Sequence, residues 1–526
     1  MTTIPADSHA KPVDGGTPAM GGESVSAATG RALGHRSVAE RRARGRLARE
    51  ETPRSLLAAL STEPGRPDPV DLLLGQESSR VRELVPVRHA RMAVSPFTFY
   101  RGSAVVMAHD LARQPRTSLT AQLCGDAHLS NFGLFGAPDR SVVFDLNDFD
   151  ETHPGPFEWD VKRLATSFVL AARDSGAAEA HGLAAAAKAA ESYRRSIADF
   201  AGRSELDIWY HRVEQLPLRS AVEEIRGTGR HKATKGTKAT KPTKAEALER
   251  RRVEKAMAKA RARDAWSAIA KITEVVDGRR RFLHRPPLLV RIEADEAVTD
   301  LVEQLYDEYL ATLQPDRQEL LSRYAVVDIG HKVVGVGSVG LLAFVLLLRG
   351  RDEKDLMVLQ VKQAQASVLE AVTEPSRYAR HGQRVVTGQR LIQAASDSFL
   401  GWIDGPSGRS FYVRQLRDMK WSPDPATLVD RGLQRYAELC GHTLAQAHAR
   451  SGDAVAIAAY LGAGTRFERE IAAFSGAYAD QVEEDFGAFV RAVDSERVTA
   501  VEEAGGGEVL RAVHSAAAPA AGAAAR

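Results

Sequence analysis

The chain has 526 residues, 71 Lys and Arg against 68 Asp and Glu for a formal charge of +3, and two cysteines, Cys124 and Cys440. That length buries at least one large core, the charge is too mild to mark a nucleic-acid binder, and two cysteines supply neither a disulfide framework nor a zinc quartet. No apolar h-region opens the chain, and the apolar run 341–348 is too short to span a bilayer, so a cytoplasmic protein without membrane contact is expected.

Residues 1–35 are rich in Gly, Ala, Ser, Pro and Thr without periodicity and read as a disordered tail. An N-terminal helical region, 36–120, begins with a basic helical arm over 36–49 and continues as helices over 69–115, separated by a loop at Ser95-Pro96. Within it, Arg101 of F-Y-R-G is a candidate grip for an anionic substrate or phosphate, with a salt bridge to a nearby aspartate as the equal alternative.

A second region, 121–325, opens on the blocks C-G-D-A-H-L-S-N-F-G (124–133) and V-V-F-D-L-N-D-F-D-E (142–151). They place Asp126, His128, Asn131, Asp145, Asn147, Asp148 and Asp150 around two turns, each preceded by an apolar run. Carboxylates this close repel unless protons or cations neutralise them, and carboxylate plus amide oxygens favour magnesium or manganese over zinc. Asx turns capping strand ends explain scattered Asp and Asn, but not two adjacent blocks of them.

The spacing sharpens the expectation. Asp126 and Asn131 stand in G-D-x-x-x-x-N, as in a kinase catalytic loop, where the Asp accepts the hydroxyl proton and the Asn holds metal. Residues 142–145 read as a buried strand ending in Asp145, the second metal ligand of such a site. The pair resembles the H-G-D-x-x-x-x-N and hydrophobic-Asp motifs of aminoglycoside phosphotransferases and choline kinases, with Cys124 where those families carry His. Asp148 and Asp150 are assigned to a further metal or to the acceptor, and His128 to metal, substrate or packing with even weight. Asp160, of F-E-W-D, resembles the structural Asp of aminoglycoside phosphotransferases.

Helical segments continue to Tyr324, interrupted by an extended stretch at 282–292 and by a basic insertion, 226–263. The insertion has no interleaved aromatics for base stacking and is read as a solvated surface segment, not a nucleic-acid site. A β region, 326–420, follows, with G-V-G-S-V-G at 335–340 preceded by the extended pieces 325–329 and 332–334 and followed by a strand at 341–348, a turn at 350–352, and a strand at 356–361 ending beside Lys362. Gly335, Gly337 and Gly340 let backbone N–H groups approach phosphate oxygens, and Lys362 supplies a point charge to them. Glu370 is the expected ion-pair partner of Lys362, with Glu374 competing. Helical patterning at 367–371 and 384–395, a hairpin over 399–416, a nucleotide-base hinge at 414–419 and an amphipathic helix over 428–450 complete the parts of a kinase. They follow the catalytic loop instead of preceding it, which is the order of a circularly permuted chain. C-terminal helices over 421–505 and a disordered tail, 506–526, end the sequence.

The blocks S-P-F-T-F-Y-R-G (95–102), 124–133, 144–167, Q-R-V-V-T-G-Q-R (383–390) and F-Y-V-R-Q-L-R-D-M-K (411–420) resemble the bacterial family called domain of unknown function 2252, from about residue 41 to 492. That resemblance implies kinase-like kinship and supplies no substrate. The expected fold is α/β (α+β): a two-lobed, protein-kinase-like fold, circularly permuted, with a small antiparallel β lobe and a large helical lobe. The expected activity is ATP- and magnesium-dependent phosphotransfer to a hydroxyl of a small-molecule or protein acceptor. A metal-dependent phosphohydrolase, AMP transfer and an inactive nucleotide-binding protein are the alternatives.

Overall fold

The computed structural model describes residues 36–61, 64–213, 265–286, 288–293, 295–333, 339–416, 422–428 and 431–501. Helices α1 (Val38–Glu51), α2 (Pro69–Gly75), α3 (Val85–Met92), α4 (Pro96–Gly102) and α5 (Ala104–Ala112) lead into strand β1 (Thr120–Leu123). The hairpin β2 (Phe132–Gly136) and β3 (Val142–Leu146) follows, and β4 (His153–Pro156) returns to pair with β1. Then come α6 (Phe157–Asp174), α7 (Glu179–Phe200) and α8 (Glu205–Tyr210). The chain next forms α9 (Ala265–Ile272), the hairpin β5 (Thr273–Val276) and β6 (Arg279–Phe282), β7 (Leu289–Arg291), α10 (Glu296–Leu310) and α11 (Pro315–Leu321). Strands β8 (Ala325–Lys332), β9 (Ala343–Arg349) and β10 (Leu356–Ala364) precede α12 (His381–Ile392), β11 (Gly401–Asp404) and β12 (Ser410–Gln415). Helices α13 (Arg431–Ser451), α14 (Ala454–Leu461) and α15 (Arg466–Asp494) close the described chain.

The fold is mixed α/β with antiparallel sheets. The largest, six-stranded, has the order β11-β12-β10-β9-β8-β7. Alternation along its strands separates two small cores: Leu346, Leu348, Leu359 and Val361 point to one face, Val345, Leu347 and Val358 to the other. Lys362 shares the parity of Val358 and lies directly opposite Tyr412 of β12, so both side chains emerge on one face near the end of the strand.

The larger core is built around α6, which is buried on nearly every side. Several of its buried polar residues are held by partners from other elements. Glu158 accepts from the Thr117 N–H and hydroxyl at 2.7 Å each, and Lys162 donates to Gln114 at 2.9 Å. Asp160 and Arg163, one turn apart, reach the loop after β1.

Ser95-Pro96 does not separate helices as a free loop. Ser95 caps α4 by accepting from the Thr98 N–H, Thr98 Oγ1 accepts in return from the Ser95 N–H, and Pro96 opens the helix. Among the described residues no helix is long and apolar enough to cross a membrane.

Candidate active site

The loop after β1 is shaped by Gly125 and pinned from α6. Gly125 has φ +84°, and a Cβ there would lie 2.1 Å from the Glu151 carbonyl oxygen, so the turn requires glycine. Asp160 accepts from the Cys124 N–H at 2.6 Å and the Gly125 N–H at 3.0 Å. Behind it, His448 Nε2 lies 3.4 Å from Asp160 and His448 Nδ1 lies 2.8 Å from the Tyr193 hydroxyl, all buried. The loop then turns back on itself. The His128 N–H and the Asn131 side-chain amide both donate to the Asp126 carbonyl, at 2.8 and 2.6 Å.

Arg163 orients the Asp126 side chain. Its Nε donates to Asp126 Oδ1 at 2.6 Å, its Nη2 donates to the Tyr100 carbonyl at 2.8 Å, and the guanidinium lies 4.0 Å from the Tyr100 ring centre. Burial pushes the Asp126 carboxyl above its ordinary range, and Arg163 pulls against that shift without cancelling it. His128 Nε2 is 3.7 Å from Asp126 Oδ2, beyond hydrogen-bonding distance. Burial, reinforced by Arg101 and Arg163, holds the imidazole well below its usual pKa and therefore neutral.

The second acidic block divides by direction. Asp145 is 2% exposed, its Oδ1 accepts from the Leu146 N–H and its Oδ2 from the Ala394 N–H, both at 2.8 Å. Each oxygen thus accepts from the scaffold, bracing β3 against the end of α12, and Asp145, expected as a metal ligand, does not line the cleft. Asp148 and Asp150, beyond the strand, do line the cleft. Lys362 pairs with Asp150 Oδ2 and lies 3.8 Å from Asp148 Oδ1, while the Tyr412 hydroxyl donates to Asp150 Oδ1 at 2.8 Å. Burial opposes the charge on Lys362, but Asp148 and Asp150 outweigh it and raise its pKa.

Glu370, expected beside Lys362, is engaged elsewhere. It caps its own short helix by accepting from the Ser367 N–H at 2.9 Å, accepts from the Ser376 N–H at 3.1 Å, and lies 3.5 Å from Arg384, not beside Lys362. Arg384 instead ties the two blocks together, donating to the carbonyls of Asp150, Thr152 and Gln365. Gly335 and Gly337 lie outside the described residues, as does half of the expected hinge, 417–419. Gly340 has φ +92°, its carbonyl accepts from the Val81 N–H at 2.7 Å, and a Cβ there would press on Arg80 at 3.1 Å.

These elements enclose a polar cleft of about 130 Å³ whose wall includes Asp126, His128, Asn131, Asp148 and Asp150, with Arg101 facing them. The residues 80–492 match the profile of a family described as uncharacterized proteins conserved in bacteria, DUF2252. The chain belongs to that family. No curated protein and no solved structure matches it.

Among the described residues of this DUF2252 protein, no group of three or more His, Cys, Asp or Glu side chains converges to hold a metal ion. Asn131 and Asp148 share the cleft and fit a different demand, that of a magnesium ion held by one or two protein oxygens and completed by phosphate and water. Arg80 and Arg88 of the cleft lining lie outside the sequence expectations, as do Arg163 and Tyr412, which hold its acids. Arg163 had a signal, since it follows Asp160 by one helical turn and must face the same loop. Tyr412 required the register of β10 on β12, and Arg80 and Arg88 required the tertiary fold.

Proposed function

We propose that this DUF2252 protein is an ATP- and magnesium-dependent phosphotransferase with a circularly permuted, kinase-like cleft, acting on a hydroxyl. One observation carries the reading: Lys362 pairs with Asp150 across 212 residues of chain and lies 3.8 Å from Asp148, and these two aspartates line one cleft with Asp126 and Asn131. A buried lysine facing two carboxylates next to a loop aspartate is the charge arrangement that phosphoryl transfer uses.

In this reading Lys362 moves its ammonium from Asp150 to a nucleotide phosphate oxygen, and Asp148 and Asn131 are the residues that would hold magnesium. The metal supplies charge neutralisation at the phosphates when bound. Asp126 accepts the acceptor hydroxyl proton as the new O–P bond forms and the bond from the γ-phosphorus to the bridging oxygen breaks, releasing ADP. Its raised pKa suits it to that proton better than an exposed aspartate would be, and Arg163 keeps it aimed. A two-metal phosphohydrolase demands a convergent cage of acidic ligands, which the described residues lack, and gives Lys362 no task.

The test is thermal stability with nucleotides. ATP with magnesium should raise the melting temperature of the full chain, and Lys362→Ala should weaken that response while magnesium alone still binds. The absence of any shift at millimolar ATP and magnesium would overturn the phosphotransferase reading.

A further inference from the structure

The cleft is also lined by Arg80, Arg88 and Arg101, all contributed by the segment that precedes the catalytic loop. Arg88 is 1% exposed. Its Nη2 donates to the Gly102 carbonyl at 2.7 Å and lies 3.3 Å from Gln76 Oε1, whereas its Nε and Nη1 have no hydrogen-bond partner. Arg101 Nε is likewise buried without a partner. Among the described residues neither Arg88 nor Arg101 forms an ion pair. Arg80 donates through Nη1 to the Val339 carbonyl at 2.7 Å, which fixes its stem beside Gly340.

A buried guanidinium with idle donors and no carboxylate is costly, because an arginine does not shed its proton to escape. The acids of the cleft do not answer it. Asp126 is held by Arg163, Asp150 by Lys362 and Tyr412, Asp148 stands 3.8 Å from Lys362, and Glu151 accepts from the Val368 N–H at 2.7 Å. Burial lowers the pKa of Arg88 and of Arg101; the charge pulling the other way is Glu77 for Arg88, with which it forms no ion pair, and Asp126 for Arg101. Arg101 thus stands beside the residue that would receive the acceptor hydroxyl. Lys362, by contrast, is held by Asp148 and Asp150.

We propose that Arg80, Arg88 and Arg101 form an anion subsite, and that the acceptor is a hydroxyl compound bearing a phosphate or carboxylate of its own, gripped there beside Asp126. The acceptor class rests on the phosphotransferase reading; the anion subsite does not. Guanidinium forks match both groups, and the cleft volume of about 130 Å³ accommodates a group of that size. The same chemistry is offered by the terminal phosphate of the nucleotide, so the experiment must separate the two sources.

The probe is inorganic phosphate, titrated into the full-length protein without nucleotide or magnesium, at ionic strength held constant with chloride. The expected result is a saturable rise in melting temperature, at least tenfold weaker in affinity for Arg88→Gln and for Arg101→Gln. Arg101→Gln decides alone if Arg88→Gln does not fold. No saturable shift, or one unchanged in a folded variant, overturns the subsite. A second arm measures ATP and ADP binding with magnesium. Phosphate binding that persists at saturating ATP analogue, with ATP affinity of Arg101→Gln within about threefold of wild type, assigns the subsite to the acceptor. Phosphate competing with ATP but not ADP, with Arg101→Gln weakened tenfold for ATP alone, overturns the acceptor assignment and gives the arginines to the terminal phosphate. If ATP binds to no form while phosphate still does, the phosphotransferase reading fails, the acceptor assignment falls with it, and the anion subsite stands.

Discussion

Replacing Lys362 by Met keeps the stem that packs in β10 and removes only the ammonium. Lys362 is 2% exposed and the Asp150 side chain 19%, so the variant strands a largely buried carboxylate, with Asp148 adding a like charge nearby. Breaking a buried pair from one side costs about 3–5 kcal/mol, and the partial hydration of Asp150 places this one near the lower end, about 3 kcal/mol. Adding Asp150→Asn to Lys362→Met removes the stranded charge while the amide still accepts from Tyr412, so the double variant should lose only about 1–2 kcal/mol. The double-mutant cycle should then give a coupling of at least about 1.5 kcal/mol. Guanidinium unfolding followed by tryptophan fluorescence reads the region directly, since Trp402 of β11 pairs with Tyr412. Additivity within about 0.5 kcal/mol would refute the pairing, and with it the charge arrangement on which the proposed chemistry rests.

Asp126→Asn should lower phosphoryl transfer roughly a hundredfold or more while leaving nucleotide affinity nearly intact, read by steady-state turnover beside nucleotide titration. Asp145→Asn places an N–H against one of two backbone N–H groups, so it should cost about 1–3 kcal/mol of stability without changing the magnesium dependence of nucleotide binding, whereas Asp148→Asn should weaken that dependence. Burial holds His331 and His442 down at about 4, so in the unfolded chain they take up protons first as pH falls from about 6.5; stability is full above that window and each histidine removes about 3 kcal/mol by pH 4. His331→Phe should remove its share of that acid slope in unfolding curves recorded between pH 4 and 7, and an unchanged slope would refute its assignment.

Strand β9 is legible because it is an apolar run between Gly340 and Gly350, β10 because its apolar start follows Asp355, and helix α13 because its apolar stripe repeats at helical spacing. The β5–β6 hairpin had a signal that the sequence reading passed over. Val275-Val276-Asp277-Gly278-Arg279 carries an Asp-Gly turn, and both turn residues have positive φ, 49° and 74°. Strand β7 sits within a stretch read only as extended, because its identity depends on pairing with β8 and not on any pattern of its own. Ser95-Pro96 was taken as a break for the opposite reason: the same residues that end a helix also begin one, and the Thr98 that completes the cap was the deciding signal.

The acids of the site show where sequence reasoning stops. Asp145, Asp148, Asp150, Asp160 and Glu370 are alike by composition and by proximity to a turn. What separates them is which backbone N–H groups the fold leaves without a partner. The Cys124 and Gly125 amides at a glycine turn take Asp160, the Leu146 and Ala394 amides at two element ends take Asp145, and the Ser367 and Ser376 amides take Glu370. Ser367-Val-Leu-Glu370 has the spacing of a capping box, which sequence could show, whereas the Cys124, Gly125 and Ala394 amides meet their carboxylates only through tertiary structure. Asp148 and Asp150 lie past the end of β3, where Lys362 reaches them from a strand 212 residues away along the chain from Asp150. The carboxylates able to meet a ligand are thus those that the scaffold's own hydrogen-bond accounting does not consume. Asp126 joins them because Arg163 engages Oδ1 and leaves Oδ2 directed at the cleft, 3.7 Å from a neutral His128.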